Sequence, residues 1–287
     1  MTTVWSVGVF AHNEAKSIQR CLDAIRTADP AVQIRVEVLV NGTTDDTMAV
    51  VGAYRPRENV TVTAHDIAIG DKANAWNVFT HTLAGEADLY VYTDGDCWLD
   101  ADGLDAMARA ARTAEGVNLL AGMPLTGRSR ESLRADMLRH HHVAGNFYAL
   151  LPDFVQRIRQ HDVHMPVGLI GDDSIIGALA MWDLEPFSEW RVERVLPCPE
   201  AGYNYRSRNR LSPDDIRQQF KRMVRYSMRW HQLRMLDEVL KDGGLAAMPS
   251  HVDELYRDRL ADRQPRHDLS NLLWDWLALR RMRRAAA

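Results

Sequence analysis

The feature that most constrains the fold is the alternation of strand-like and helix-like segments over the first hundred residues. Apolar runs at 4–11, 36–40, 60–64 and 88–93 predict strands. The segments between them have the apolar spacing of amphipathic helices, at about 17–28, 48–54 and 72–82. Repeated strand–helix units with short connections form a mostly parallel sheet that is flanked by helices. The sequence therefore predicts an α/β fold.

Polar side chains follow each of these four predicted strands at the point where the strand ends. They are Asn13 and Glu14, then Asn41, Asp45 and Asp46, then Lys72, Asn74 and Asn77, and finally Asp94 and Asp96. Each cluster alone is also explained by a turn or a helix cap. Open α/β sheets bind ligands at the carboxyl ends of their strands, so the recurrence of these clusters predicts one ligand site at that edge.

The fourth strand ends in two carboxylates, Asp94 and Asp96, which flank Gly95. Alternate positions on a strand aim both carboxylates towards the ligand crevice, and the glycine permits a close approach of the backbone. Carboxylate oxygens are the ligands that hard divalent cations prefer. We therefore expect Mn²⁺ or Mg²⁺ at this position, with an ordinary polar turn as the alternative for the tripeptide alone.

Composition limits the classes of function that the chain can have. At 287 residues with 46% hydrophobic residues the chain can bury a large core, and its net charge of -4 argues against a nucleic-acid partner. Three widely separated cysteines lack metal-ligand spacing and indicate a reducing compartment. No leader-like segment opens the sequence, and no stretch approaches the roughly 20 apolar residues of a membrane span. We expect a cytoplasmic protein, with any membrane contact limited to its surface.

Four motifs in order resemble those of family 2 glycosyltransferases, which have the Rossmann-like GT-A fold and use nucleotide-diphosphate sugars. They are FAHNE at 10–14, VNGTTDDT at 40–47, GDKANAWN at 70–77 and YTDGD at 92–96. The resemblance is strong over about residues 4–110 and thins beyond them. It implies a GT-A catalytic domain at 1–205, with a nucleotide-sugar-binding half at 1–121 and an acceptor-binding half at 122–205. A mainly helical C-terminal extension would occupy 206–287.

The resemblance also implies roles for individual residues. The nucleotide-sugar-binding residues would be Ala11, Asn13, Glu14, Asn41, Lys72, Asn77, Asp94 and Gly95, and the metal ligands would be Asp96 and Asp94. Asn41 stands where many family members carry an acidic residue that pairs with the base. A UDP-sugar is the expected donor, but this substitution leaves the choice of base open.

A second chemical centre is the acidic pair Asp172 and Asp173, which precedes an apolar, helix-compatible run. One interpretation is that the pair caps the helix and meets its dipole. The resemblance implies another, since inverting family members carry an acidic pair here, commonly Glu-Asp. Asp173 would then be the general base that takes the proton of the acceptor hydroxyl, and the neighbouring carboxylate of Asp172 would raise its proton affinity.

The rest of the chain gives weaker indications. Strands are predicted at 119–124 and 191–196, and a helix from Ser212 to about Lys241. The basic, histidine-rich stretch 128–164 is either a pair of solvated helices or a binding segment for an anionic acceptor. The loop 203–210 is either an exposed connection or a cover for the diphosphate. Residues 226–230 resemble part of the Gln-x-x-Arg-Trp motif of processive synthases but lack the glutamine, so we expect transfer of a single sugar.

The last segment, 269–284, combines tryptophans and leucines with four arginines near its end. Such a helix can rest on an anionic bilayer and bring the enzyme to a lipid-linked acceptor. Packing on the catalytic domain and formation of a homodimer are the alternatives.

Together these observations predict a metal-dependent glycosyltransferase. It would transfer one sugar to a hydroxyl of a sugar, lipid-linked or small-molecule acceptor, with inversion by direct displacement. Three alternatives remain. One is a retaining transferase of the same fold, in which the acidic pair positions substrate. The second is a sugar-phosphate nucleotidyltransferase, for which the glycine-rich, arginine-bearing phosphate loop is missing. The third is a non-catalytic nucleotide-sugar sensor.

Overall fold

The computed structural model describes residues 2–206 and 213–286, without the side chains of 213–215. Within these residues, eight strands form a single sheet in the order β3-β2-β1-β4-β7-β6-β8-β5. The strands are β1 (Thr3–Ala11), β2 (Val32–Asn41), β3 (Val60–Ile67), β4 (Leu89–Asp94), β5 (Cys97–Leu99), β6 (Leu119–Pro124), β7 (Phe147–Leu150) and β8 (Val195–Tyr205). The helices are α1 (Ile18–Ala24), α2 (Thr47–Ala53), α3 (Lys72–Val78), α4 (Gly103–Thr113), α5 (Arg130–His140), α6 (Pro152–Gln160), α7 (Asp172–Met181), α8 (Pro213–Gly243), α9 (Val252–Arg259) and α10 (Leu272–Ala285).

The alternation of strands and helices produces the parallel half of the sheet. Strands β3, β2, β1 and β4 pair in parallel, and so do β6 and β8. Strand β7 is antiparallel to both of its neighbours, β4 and β6, and β5 is antiparallel to β8. The predicted α/β fold with a mostly parallel sheet and a helical C-terminal region is confirmed, and the antiparallel strands are additions to it.

Both faces of the sheet are buried, and successive strand residues serve opposite faces. In β1, Val7 and Val9 belong to one apolar cluster, whereas Phe10 belongs to the other. A Cβ on Gly8 would lie 2.7 Å from the ring of Phe79, so this position needs a glycine. Phe79 begins a π-helical turn, Phe79–Leu83, that follows α3 directly, so the single helix predicted at 72–82 consists of two parts.

The strand expected at 191–196 was placed too early. Residues Val192–Arg194 form a 3-10 turn, and β8 runs from Val195 to Tyr205. Two prolines, Pro197 and Pro199, lie inside β8 and argued against a strand, since proline cannot donate to the ladder. The register shift opposite Gly122 and Met123 accommodates this irregular stretch. The predicted loop 203–210 is therefore strand up to Tyr205, and its residues 207–210 lie outside the described part of the chain.

The C-terminal helices pack on the preceding α/β part of the chain and on each other. Gln232 of α8 accepts a hydrogen bond from the backbone N–H of Ile170 at 2.8 Å and donates to the carbonyl of Gly168 at 3.0 Å. Ser227 of α8 donates to the buried carboxylate of Asp275 on α10 at 2.6 Å. These contacts fix the loop before α7 and the relative positions of α8 and α10. No helix in the described ranges has the length and apolar character needed to cross a bilayer.

A buried histidine in this helical packing should make folding sensitive to acid. His231 is fully buried, neither ring nitrogen has a hydrogen-bond partner among the described residues, and Asp275 lies 3.7 Å from Nε2. Burial lowers the pKa of His231 from 6.5 to about 4, against the attraction of Asp275 and together with repulsion from Arg266, Arg263 and Arg283. The unfolded chain therefore binds the proton first as the pH falls.

We expect the free energy of unfolding to fall by about 2–3 kcal/mol between pH 6.5 and pH 4 because of this histidine. The stabilisation is fully present above pH 6.5. Urea unfolding followed by circular dichroism at several pH values measures the effect, and His231→Leu is the matched variant without the titrating ring. An equal pH dependence in the two proteins would remove His231 from the explanation.

Candidate active site

A cavity of about 440 Å³ lies where β1, β2 and β4 end. Its strand-side wall includes Glu14, Asn41, Asp94 and Asp96, and a second wall comes from the loop before α7 and from Asp172. The third wall belongs to the C-terminal helices and carries Arg225, Met228 and Arg281. A larger cavity of about 800 Å³ lies at the opposite edge of the sheet, where β1 and β4 begin. Since open α/β sheets bind ligands at carboxyl ends, the smaller cavity is the candidate site.

Lys72 supplies the central positively charged side chain of this cavity. It is the first residue of α3, whose N-cap Asp71 accepts a hydrogen bond from the N–H of Asn74 at 2.8 Å. Its Nζ lies 2.6 Å from Asp94 Oδ1 and 3.3 Å from Asp172 Oδ2, and it donates to the carbonyl of Gly145 at 3.0 Å. Burial works to lower the pKa of Lys72, but Asp172 and Asp94 outweigh it and raise that pKa. Lys72 therefore stays charged and joins β4 to the acidic pair.

Asp94 and Asp96 form an oxygen-rich group at the rim of the cavity. Their carboxylates and the Cys97 thiol have ligand atoms within 4.8 Å of one another. Asp94 is shared with Lys72 and with the side-chain amide of Asn146, at 3.1 Å, whereas Asp96 is exposed. Burial raises the pKa of the Cys97 thiol, and hard cations prefer oxygen ligands to sulfur. The donors that remain are two carboxylates, which fit a hard cation such as Mg²⁺ or Mn²⁺.

The acidic pair lies at the start of α7, as predicted. Gly171 before it has a φ of 113°, and a Cβ there would lie 2.8 Å from the Arg229 side chain. Asp172 is buried, and its Oδ2 has no hydrogen-bond partner among the described residues, although Lys72 lies within ion-pair distance. Asp172 therefore faces the cavity with acceptor capacity to spare.

Asp173 is held by donors on its other side. Arg229 Nη2 lies 2.9 Å from its Oδ1, and the N–H groups of Ser174 and Gly145 donate to the carboxylate at 2.9 Å and 3.3 Å. Burial raises the pKa of Asp173, Arg229 opposes the rise and Asp172 adds to it. The carboxylate is therefore both oriented and more basic than an exposed aspartate.

Not all residues expected at the site reach the cavity. Its walls include seven of them, namely Glu14, Asn41, Lys72, Asp94, Gly95, Asp96 and Asp172. Ala11, Asn13, Asn77 and Asp173 do not line it. Asn13, with a φ of 58°, accepts a hydrogen bond from the Thr44 N–H at 2.8 Å and so holds the loop after β2. Asn77 is bonded twice to the backbone of Met165, both times at 2.8 Å, which makes it a positioning residue.

The basic stretch 128–164 does not contribute to the walls of the cavity either. Arg157 pairs with Asp183 at 2.7 Å, and Arg159 donates to the carbonyl of Thr80 at 2.7 Å. The arginines that do reach the site, Arg225 and Arg281, come from α8 and α10 and were not predicted. For Arg229 there was a partial indication, because it is the arginine of the incomplete Gln-x-x-Arg-Trp resemblance.

Comparison with known proteins supports the predicted resemblance. Residues 6–136 match the family model described as Glycosyl transferase family 2, which confirms the resemblance of the four motifs and the enzyme class that it indicated. No curated protein sequence matches the chain.

Two solved structures show the same fold. A mannosyltransferase from Pyrobaculum calidifontis, in complex with GDP-Man and Mn²⁺, is similar with a TM-score of 0.59 at 18% identity, covering 99% of this chain and 76% of that one. Glucosyl-3-phosphoglycerate synthase from Mycobacterium tuberculosis, in complex with phosphoglyceric acid, is similar with a TM-score of 0.53 at 18% identity, covering 80% and 78%. The sheet and its flanking helices are thus of the GT-A type.

Proposed function

We propose that the chain is a metal-dependent glycosyltransferase that moves a single sugar from a nucleotide-diphosphate sugar to an acceptor hydroxyl. The observation that carries this proposal is the arrangement of Asp94, Asp96 and Asp172 around Lys72 in the cavity at the strand ends. Three of these four residues belong to the segment that matches the family model. In this arrangement the carboxylates and the lysine can hold the metal and the diphosphate of the donor, and the acidic pair faces them across the cavity.

Asp96 and Asp94 would hold the cation, Mn²⁺ or Mg²⁺. When bound, it supplies Lewis-acid stabilisation of the negative charge that the departing diphosphate gathers. Lys72 orients Asp94 through their 2.6 Å contact and adds a fixed positive charge near the phosphates. The P. calidifontis neighbour was solved with Mn²⁺ and GDP-Man, which supports this assignment for a protein of the same fold.

A UDP-sugar is the proposed donor, and a GDP-sugar is the alternative. Asn41 donates through Nδ2 to the carbonyls of Ala11 and Leu39, at 3.1 Å and 3.3 Å. None of the described residues donates a hydrogen bond to Asn41 Oδ1, so this oxygen can accept an N–H of a base. Uracil and guanine both offer such a donor. Glu14, which also lines the cavity, is the candidate partner for the ribose hydroxyls.

For the chemical step we propose direct displacement with inversion, with Asp173 as general base. Burial raises the pKa of Asp173, which strengthens it as a base, and the contact with Arg229 at 2.9 Å fixes its orientation. The acceptor hydroxyl would approach between Asp173 and Asp172. The retaining alternative is favoured by one observation, since Asp173 already accepts from Arg229, Ser174 and Gly145 and does not line the cavity.

The proposed domain division places the catalytic domain at 1–205 and the helical extension at 206–287. The end of β8 at Tyr205 fits this boundary. Because the extension supplies one wall of the cavity, we include it in the site. Helix α10 buries Leu279 and Met282 and leaves Leu272, Leu273 and Trp276 exposed. This exposed surface is where a peripheral membrane contact or a second copy of the chain would bind, if the acceptor is lipid-linked or the protein is a homodimer.

Thermal shift with nucleoside diphosphates tests the proposal directly. UDP, GDP, CDP and dTDP, each with Mn²⁺, Mg²⁺ or a chelator, are added to the protein. A ligand that binds only the native state raises the melting temperature, by an amount that grows with its concentration above Kd. We expect UDP or GDP to stabilise the protein only when a cation is present. Stabilisation by none of them, at millimolar concentration and with cation, would contradict the proposed function.

A further inference from the structure

We propose that Arg225 and Arg281 form an anion subsite that the C-terminal helices contribute to the cavity, and that it holds a phosphate or carboxylate of the acceptor. This inference rests on the proposed function, because it assigns the acceptor class of the same site. The acceptor is accordingly a hydroxyl compound that carries an anionic group, and not a neutral sugar.

The first observation is that both arginines lie in the cavity wall without a side-chain partner among the described residues. Arg225 and Arg281 are exposed there, and neither makes an ion pair or a side-chain hydrogen bond to any residue of the described ranges. Neighbouring arginines of the extension are engaged. Arg229 pairs with Asp173 at 2.9 Å, and Arg266 pairs with Asp275 at 2.7 Å. Two free guanidinium groups in one cavity suit a phosphate or carboxylate, which they can bind in a bidentate manner.

The second observation is the position of Arg225 on its helix. It precedes Arg229 by four residues, so the two side chains lie on the same face of α8, about one turn or 6 Å apart. Arg229 contacts Asp173, the proposed base. Arg225 and Asp172 line the same cavity, so an anion held by Arg225 shares that cavity with the acidic pair. The nucleophilic hydroxyl of the acceptor would be only a few bonds from its anionic group.

The third observation is that the proposed site for the donor phosphates is separate from the two arginines. Asp94, Asp96 and Lys72 belong to the opposite, strand-side part of the cavity, where the cation would bring the diphosphate. The arginines belong to the wall that the C-terminal helices form. The two helices that carry them are held together, because Ser227 of α8 donates to Asp275 of α10, and Met282 next to Arg281 is fully buried. The packing of α8 on α10 therefore brings both arginines to one wall of the cavity.

The experiment uses inorganic phosphate as the probe and the whole chain of 287 residues as the protein. Phosphate is titrated calorimetrically into protein alone and into protein saturated with Mn²⁺ and UDP or GDP, so that the donor phosphate positions are filled. The variants are Arg225→Gln and Arg281→Gln. The control is Arg284→Gln. Arg284 is an exposed arginine of α10, the helix of Arg281, but it does not line the cavity.

We expect phosphate to bind the nucleotide-loaded protein, and each of the two variants to weaken this binding about tenfold or more. Arg284→Gln should change it by less than about twofold, as expected of a surface substitution. The affinity for the nucleotide should stay within about threefold of that of the unchanged protein in all three variants, since none of them removes a residue that is proposed to contact the donor.

Two results would overturn the inference. If phosphate fails to bind the nucleotide-loaded protein while both variants lose nucleotide affinity, the arginines serve the donor diphosphate. If phosphate binds all variants equally, the arginines hold no anion. Failure of the proposed function is a separate result, because then no nucleotide binds with Mn²⁺ even to the unchanged protein. The titration of phosphate into protein alone still decides the subsite in that case.

Discussion

Asp173→Asn should lower the turnover number for sugar transfer by about 10²–10⁴-fold, the range expected for loss of a general base. The amide that replaces the carboxylate keeps its shape but cannot take a proton from the acceptor hydroxyl. Donor affinity should change little, because Asp173 does not line the cavity and Lys72 contacts Asp94 and Asp172 instead. Turnover is measured as nucleoside diphosphate release, and donor affinity by calorimetry.

Two further variants make this result specific. Asp153→Asn is the matched control, since Asp153 is an exposed acidic residue in the first turn of α6, remote from the cavity. It should leave turnover within about twofold. Asp172→Asn separates the two members of the pair. If it causes the large fall while Asp173→Asn is almost normal, the base is Asp172, whose Oδ2 has spare acceptor capacity in the described structure.

The anomeric configuration of the product is measured by NMR in the same reactions. A single displacement with a carboxylate base inverts the configuration, so an inverted product together with slow Asp173→Asn turnover supports the proposed mechanism. A retained configuration would contradict a single displacement with Asp173 as its base. The acidic pair would then position substrate, which agrees with the three donors that already hold Asp173.

The strand-end half of this site could be predicted because its determinants are local. The apolar runs and the polar clusters that follow them are visible in the sequence, and parallel pairing brings the clusters to one edge of the sheet. Asp94 and Asp96 lie where the pattern placed them, at the end of β4. The acidic pair also begins a helix, as its spacing from the apolar run indicated.

The other half depends on contacts between residues that are far apart in sequence. Arg225 and Arg281 reach the cavity because α8 and α10 pack together through Ser227 and Asp275, and nothing in their own segments shows this. Asn77 was assigned to the ligand by its motif, and the sequence did not show that its amide nitrogen and oxygen both bond to the backbone of Met165, 88 residues away. Strand β7 has only four residues, too few for a periodic pattern to distinguish it from a loop.

Asp96→Ala should abolish the cation-dependent part of nucleotide binding, with the affinity for UDP or GDP in the presence of Mn²⁺ weakened by at least about 100-fold. Asp94 is already shared with Lys72 and Asn146, whereas Asp96 is exposed and has only the weak thiol contact of Cys97, at 3.4 Å, in the described structure. Asp96 is therefore the carboxylate that is free to bind a cation, and its loss removes the better of the two ligands.

The same exposure means that Asp96→Ala should leave the melting temperature of the protein alone within about 2 °C, since surface substitutions change stability by about 0.5 kcal/mol or less. Asp100→Ala, another exposed aspartate just beyond β5, is the matched control and should bind nucleotide normally. Calorimetry with Mn²⁺, and again with chelator, measures both variants. Equal nucleotide affinity in Asp96→Ala and the unchanged protein, with and without chelator, would contradict the metal role. An unchanged melting temperature shows that the variant is folded. A loss of nucleotide binding is then assigned to the site and not to instability.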